Sequence, residues 1–166
     1  MEANISLMEI VESKKQEMLS VIKIPKDAIS QIEKHGERAY PEECCGIMLG
    51  RSDGNNQMVE EVVELDNEQG ENRGRRFFVT PKQYLQMERI AVERKLDLLG
   101  FYHSHPDHPA VPSEFDRDHA LPWFTYIVVS VSQGKARDIS AWLLSDTRDR
   151  FDRKEFLVEE EVNSRQ

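Results

Sequence analysis

Crosslinking chemistry is the first thing this sequence lacks. Its two cysteines, Cys44 and Cys45, are neighbours, so no disulfide framework can hold the fold and a reducing compartment is expected. Long apolar runs are also missing: the richest stretch, around Tyr126 to Val131, falls far short of the ~20 residues of a membrane span. The opening segment MEANISLMEIVESKKQEMLS carries Glu2 and Glu9 and has no apolar centre, which excludes a secretory signal. Positive charge is scarce, with 22 Lys and Arg against 31 Asp and Glu, giving a net charge of −9. Such a chain, without a basic stripe, is not built to neutralise nucleic-acid phosphates. The expectation is a cytoplasmic protein with neither nucleic acid nor membrane as a partner.

What is present suits one globular domain. At 166 residues and 39% hydrophobic, the chain is long enough and apolar enough for a single core. Residues 1–19 read as a polar, weakly amphipathic helical extension, with Ile5, Met8 and Leu19 on one side. From Val21 the pattern alternates strand and helix. VIKI is a short strand, and Pro25 opens a helix whose stripe is Ala28, Ile29, Ile32, Gly36 and Ala39, closed by Pro41. Cys44 to Gly50 is a buried strand, Ser52 to Asn56 a turn, and Met58 to Leu65 the next strand. A loop from Asp66 to Gly74 leads into RRFFV, and Thr80-Pro81-Lys82-Gln83 gives a capped helix start running to about Lys95. Leu98 to His103, Thr125 to Ser132 and Ile139 to Leu144 are further strands, with a short helix from Ser113 to Ala120. The fold class is α/β, one mixed sheet flanked by helices, over residues 20–158 with a polar tail at 159–166.

Chemistry concentrates in HSHPDHPAVPSEFD, from His103 to Asp116. Residues i and i+2 of a strand share a face, so His103 and His105 can aim one imidazole nitrogen each at a common point. Pro106, Pro109 and Pro112 stiffen the loop that follows, and Ser113-Glu114-Phe115-Asp116 has the form of a capped helix start. If that loop folds back, the Asp116 carboxylate becomes a third ligand. Three ligands of N/N/O type leave one tetrahedral position of a zinc ion open, the pattern of a catalytic rather than a structural site.

His-x-His, seven residues, then Ser-x-x-Asp resembles the signature of the JAMM (MPN-plus, Mov34-type) zinc metallopeptidases. That family places a glutamate upstream at an E-x-C-G-like strand start, where this chain has Glu43-Cys44-Cys45-Gly46. The similarity spans roughly Val21 to Leu157, including Phe77 to Pro81 and GFYHSHP. It implies the MPN, cytidine-deaminase-like fold, with a mostly antiparallel twisted sheet. It also implies one Zn2+ per chain on His103, His105 and Asp116, with Glu43 as general base and acid and Ser113 as a hydrogen-bond donor to the oxyanion. The substrate it implies is a ubiquitin-fold protein ending in Gly-Gly, whose tail threads as an added strand along an edge between Asp66 and Val79. Only eight residues separate Asp116 from Thr125, so the chain resembles the compact, stand-alone bacterial type that processes sulfur-carrier proteins, for instance releasing cysteine from a carrier adduct.

Duller explanations stand beside these. The His pair could be core histidines, Ser113 could only cap a helix, and Asp116 could serve only the helix dipole. Cys44 and Cys45 lack the two-residue spacing of a zinc or redox pair and read as small buried hydrophobes. His108 and His119 read as loop and surface residues, His35 has no apparent neighbours in the pattern, and Trp123 and Phe124 are expected to fill core beside the site. Arg73, Arg75 and Arg76, the one tight basic cluster, are candidates for docking a partner. Two rivals remain open: an isopeptidase of ubiquitin-like conjugates and a non-catalytic MPN-type scaffold. A nucleobase deaminase is excluded, since H-x-E and P-C-x-x-C are absent. The oligomeric state is open, a homodimer included.

Overall fold

A computed structural model of the chain describes residues 6–11, 21–54, 56–66 and 79–160. Alternation in VIKIP makes β1 (Val21–Pro25), with Ile22 and Ile24 inward and fully buried. Helix α1 (Lys26–Ala39) then buries Ala28, Ile29, Ile32 and Gly36, a stripe at helical spacing. β2 (Cys45–Asp53) and β3 (Asn56–Leu65) form a hairpin. Helix α2 (Pro81–Glu93) starts in a capping box. The Thr80 hydroxyl accepts from the Gln83 N–H at 3.2 Å, and the Gln83 side chain accepts from the Thr80 N–H at 3.0 Å. There follow β4 (Asp97–Pro106), α3 (Glu114–His119), β5 (Thr125–Ser132), β6 (Lys135–Leu144), β7 (Phe151–Lys154) and β8 (Phe156–Glu159).

The strands form one sheet in the order β7-β6-β5-β4-β2-β3-β1-β8. Four of its seven pairings are antiparallel, and β1 with β3, β1 with β8 and β4 with β5 are parallel. The expected mixed, mostly antiparallel sheet is therefore what forms. Strand alternation divides the core in two. Cys44, Met48, Tyr102, Ile127 and Val129 pack with Ile29 and Ile32 of α1 on one face. Cys45, Ile47, Leu49, Phe101 and Tyr126 pack with Met87 and Ala91 of α2 on the other. Gly46 is needed within this arrangement, because a Cβ there would lie 2.1 Å from the Tyr102 ring across the strand pair.

The two terminal strands, β7 and β8, were not expected from the sequence. They lie at opposite ends of the strand order, yet Glu155 alone separates them. Two Cα steps span at most about 8 Å, so the sheet curls until its edges nearly meet. Lys154 sits at this closure, buried, its ammonium donating to Gln57 Oε1 at 3.1 Å and Thr125 Oγ1 at 2.9 Å. The side chain thereby ties β7 to β3 and β5.

Several expectations need correction or fall outside the described residues. Trp123 does not fill core: it is 73% exposed, at φ 69°, in the turn ahead of β5. The left-handed backbone there throws the indole outward, while Phe124 takes the inner place against Phe101, ring centroids 5.1 Å apart. His35 does have a neighbour, its Nδ1 lying 2.7 Å from the Tyr102 hydroxyl. Of the N-terminal extension, residues 7–11 are helical, behind a reciprocal pair of hydrogen bonds between Ser6 and Glu9. The rest of that helix, the RRFFV strand, Arg73, Arg75 and Arg76, and tail residues 161–166 lie outside the described residues, as does nearly all of the proposed tail-binding edge. Among the described residues no helix is long and apolar enough to cross a membrane.

Lys154→Ala should destabilise the protein by about 1.5–3 kcal/mol, the range for losing a charged buried hydrogen-bond donor. Urea unfolding measures it. Exposed Lys135→Ala is the control and should stay within about 0.5 kcal/mol of the parent.

Candidate active site

Near its C-terminal end β4 carries His103, Ser104 and His105, all buried. Because successive side chains alternate, the two imidazoles share the face of β4 that carries Phe101, and their Nε2 atoms lie 3.2 Å apart.

The chain then has to return to this face, and hydrogen bonds guide it. Asp107 N–H donates to Val131 O at 2.7 Å, while the Asp107 carboxylate accepts from Tyr40 Oη at 2.7 Å and Gln133 N–H at 2.8 Å. Three successive loop carbonyls are then held by the sheet. Ser130 Oγ donates to His108 O at 2.6 Å and His105 Nδ1 to Pro109 O at 2.9 Å. Ala110 O accepts from Ser140 Oγ, and from Trp142 Nε1 at 3.3 Å. None of Ser130, Ser140 and Trp142 is marked by the sequence pattern, since a serine or tryptophan in a strand carries no signal of what it will hold.

This path ends at α3, where Ser113 caps the helix. Its Oγ accepts from the Asp116 N–H at 3.0 Å, and Asp116 Oδ2 accepts from the Ser113 N–H at 2.8 Å. The same Oδ2 lies 3.2 Å from His103 Nε2 and 3.1 Å from His105 Nε2. The capping reading of Ser113 is thus correct as far as it goes. Since its oxygen accepts in the cap, its O–H proton is left to donate elsewhere.

The three atoms make a nearly equilateral triangle. His105 Nδ1 donates to Pro109 O, which turns Nε2 toward the carboxylate oxygen. A cation at the centre satisfies all three atoms at once. Ligands about 2.0–2.1 Å from a tetrahedral zinc ion would be ~3.3 Å from one another, close to the 3.1–3.2 Å found. These residues therefore fit a metal ion. Among the described residues they are the His/Cys/Asp/Glu group that could share one.

Electrostatics hold Asp116 in the ionised form that binding a cation requires. Burial works against charge on Asp116, but the His103 charge and hydrogen bonds from both imidazoles and Ser113 outweigh it, holding the carboxyl far below the usual range. Glu43 behaves in the opposite way. Burial is the main cause that pushes its carboxyl up to about 7, with His103 pulling down and Asp116 pushing up. It stands two residues before Cys45, which pairs directly with His103. Its neighbour Glu42 is exposed. The sheet thus takes one of the two glutamates inward.

The remaining candidates are not part of this centre. Both cysteines are buried in the two core clusters, and burial pushes the Cys44 thiol up to about 11, consistent with inert packing. His108 is exposed, and His119 stacks on Phe115 with centroids 4.0 Å apart and bonds its own helix at Phe115 O. Sequence reasoning passed over Ser104, which is fully buried and whose Oγ accepts from the Cys44 N–H at 2.8 Å.

Residues 25–145 match the family described as prokaryotic homologues of the JAB domain. The chain belongs to that family. It is 29% identical over 116 residues to a desampylase of Haloferax volcanii, covering 67% of this chain and 81% of the relative. It is likewise 29% identical to a probable TtuB-protein conjugate cleaving protease of Thermus thermophilus, over 65% and 69% of the two chains. A solution structure of a protein from Salinibacter ruber is similar at 40% identity and TM-score 0.66, covering 82% of this chain and 91% of the other. A JAB1/MPN domain protein from Archaeoglobus fulgidus, at 17% identity and TM-score 0.52, shares the fold over 81% and 98% of the two chains. Both named relatives are hydrolases, and this JAB-family chain is an enzyme of that class.

Burial of Glu43 makes a thermodynamic prediction for the metal-free protein. A carboxyl raised in the folded state is unfavourable to ionise there, so its cost is absent below the unfolded value near 4.5, grows to about pH 7, and stays constant above. Glu43→Gln removes this cost. In chelator, the variant should therefore be more stable than the parent at pH 8, by at most about 3 kcal/mol, with the gap closing toward pH 4.5. Paired melts across pH measure it, and a gap that widens on acidification would contradict the burial argument.

Proposed function

We propose that this protein is a zinc metallopeptidase that hydrolyses the peptide or isopeptide bond after the C-terminal Gly-Gly of a ubiquitin-fold protein. The observation that carries the reading is the buried triangle of His103 Nε2, His105 Nε2 and Asp116 Oδ2, with buried Glu43 beside it, in a JAB-family chain. Zinc held by the three ligands would supply Lewis-acid chemistry, polarising the scissile carbonyl and acidifying water.

The chain's own groups supply the rest. Glu43, with its carboxyl raised to about 7 by burial, is suited to take a proton from the attacking water and to return it to the leaving amine. Ser113, fixed by the cap, has its O–H proton available for the oxyanion that develops on the carbonyl. His105, oriented through Pro109 O, and Asp116, oriented through Ser113 N–H, need no rearrangement before binding metal. A groove of about 230 Å³ between the end of β3 and α2 is lined by Leu65, Asp66, Gln83, Gln86, Met87 and Ile90. Leu65 pairs with Cys45, and Cys45 with His103, so the groove begins one strand from the ligands. An extended tail laid there reaches the centre, and glycine is the residue that passes a narrow entry.

The substrate pool has two readings. The compact core, with eight residues from Asp116 to Thr125, favours a sulfur-carrier protein and release of a small amine such as cysteine. The named relatives, a desampylase and a conjugate-cleaving protease, favour a ubiquitin-like conjugate in which the leaving amine is a protein lysine. Both share the Gly-Gly acyl side and the same five side chains, His103, His105, Asp116, Glu43 and Ser113. The scaffold alternative is disfavoured by a complete ligand set.

Elemental analysis of protein prepared without chelator should find one zinc per chain. His103→Ala or Asp116→Ala should lower that content several-fold, and full occupancy in both would sink the centre. Activity should be assayed against a carrier–cysteine adduct and a lysine-linked conjugate with the same Gly-Gly terminus. Glu43→Gln should keep zinc and fold while turnover falls by about 10²- to 10⁴-fold, the range for losing a general base. Glu42→Gln should be close to the parent. If Glu42→Gln is the inactive variant, the assignment is displaced by one residue.

A further inference from the structure

The regular ladder between β2 and β4 ends at the pair Cys45 and His103. The next pair in that register is Cys44 with Ser104, and it is joined in a different way. Ser104 N–H donates to Cys44 O at 3.1 Å, as a ladder would have it. The return bond does not go from backbone to backbone: Cys44 N–H donates to Ser104 Oγ at 2.8 Å. A side-chain hydroxyl thus stands where a ladder carbonyl would stand, and beyond this point β2 leaves the sheet. The residue reached in leaving is Glu43.

Resting on the functional reading above, we propose that Ser104 is a positioning residue for the Glu43 carboxylate. The tripeptide His103-Ser104-His105 performs two tasks by alternation. Its outer residues give two nitrogens to one face, and its centre grips the segment that carries the proton-transferring group. Distances between ligands and base are thereby set by one short stretch of β4 rather than by two independent elements. Ser104 is fully buried, and its Cβ lies against α1 at Gly36, 3.4 Å from the place a Cβ on that glycine would occupy. The hydroxyl is thus held at one location, and so is the Cys44 amide that it receives. A base displaced by about 1 Å loses on the order of 10²-fold in rate, so a bond that fixes the adjacent backbone is worth having.

The test is a double-mutant cycle read on two observables. Ser104→Ala should lower kcat about 10- to 100-fold in the parent background, with KM and zinc stoichiometry near the parent's. In the Glu43→Gln background the same substitution should change the residual rate less than about 3-fold, because a residue acting through Glu43 has nothing left to position. Independently of substrate, the Cys44 amide should exchange with solvent deuterium faster in Ser104→Ala than in the parent. Ser104→Thr, which keeps an oxygen in place, should retain amide protection and most of kcat. Should Ser104→Ala fail to fold, Ser104→Cys, nearly the same shape with a weaker acceptor, takes its place in both arms. Equal losses in the two backgrounds, or faster Cys44 exchange with kcat unchanged, overturns the proposal. A parent that cleaves no Gly-Gly adduct overturns the functional reading, and this proposal with it, before any Ser104 variant is made.

Discussion

One oxygen carries more of this structure than any other atom. Asp116 Oδ2 accepts the Ser113 N–H that starts α3 and also forms one corner of the ligand triangle with His103 and His105. A helix start and a group of side chains that could hold a metal share it, so neither can be placed without the other. A buried carboxylate is expensive unless it is paired or bound to a metal. The fold meets that demand by bringing the loop of residues 107–113 back against its own strand. This explains why three loop carbonyls, of His108, Pro109 and Ala110, each receive a donor from a side chain of the sheet. The pinned loop sets where the carboxylate arrives, and the arrival satisfies the charge.

The sheet supplies a second constraint, parity. Cys45 pairs with His103, so side chains at Cys45, His103 and His105 face one way and those at Cys44, Tyr102 and Ser104 the other. A slip of one residue would move the imidazoles to the α1 face, into a cluster of Ile29, Ile32, Met48 and Val129. Continuous burial on both faces of β4 and β5 makes such a slip costly, because each strand would exchange a fitted set of side chains for another. The accuracy of the centre therefore comes from the apolar packing of residues that take no part in the chemistry.

The sequence showed these features unequally. β5 could be delimited at Thr125 and Ser132 because seven of its eight residues are buried and the run has turn signals on both sides. The capping box at Thr80 was legible because cap chemistry is local and needs only four residues to state. The clustering of His103, His105 and Asp116 was legible for a similar reason: two residues of a strand and one of a following helix turn lie within fourteen positions. By contrast, β7 and β8 are four residues each, mixed in polarity, and are made strands by partners far away, β6 at one edge and β1 at the other. No local pattern encodes such a closure. Trp123 was misplaced because a large aromatic beside a buried strand normally points inward, and only the left-handed turn at that residue turns it out. His35 and Tyr102, bonded to each other across 67 positions, belong to the same class of invisible pairings.

Position and reactivity are set by different parts of the structure. His103, His105 and Asp116 are neighbours in the chain; the His103 charge and hydrogen bonds from both imidazoles and Ser113 hold Asp116 ionised. Glu43 comes from the segment just before β2, some sixty residues earlier, and is raised toward 7 mainly by burial, with the net effect of its charged neighbours not restoring an ordinary carboxyl. Two acids within one site thus have opposite tendencies, one fixed as an anion and one ready to gain or lose a proton near neutrality. The difference does not come from residue type, and it could not be read from the motif, where both are simply acidic. It comes from hydrogen-bond donors: Asp116 accepts a backbone N–H and lies within reach of two imidazole nitrogens, whereas the field at Glu43 includes Asp116 itself. The ionised Asp116 also raises the proton affinity of Glu43 beside it, so the two acids cannot be tuned separately.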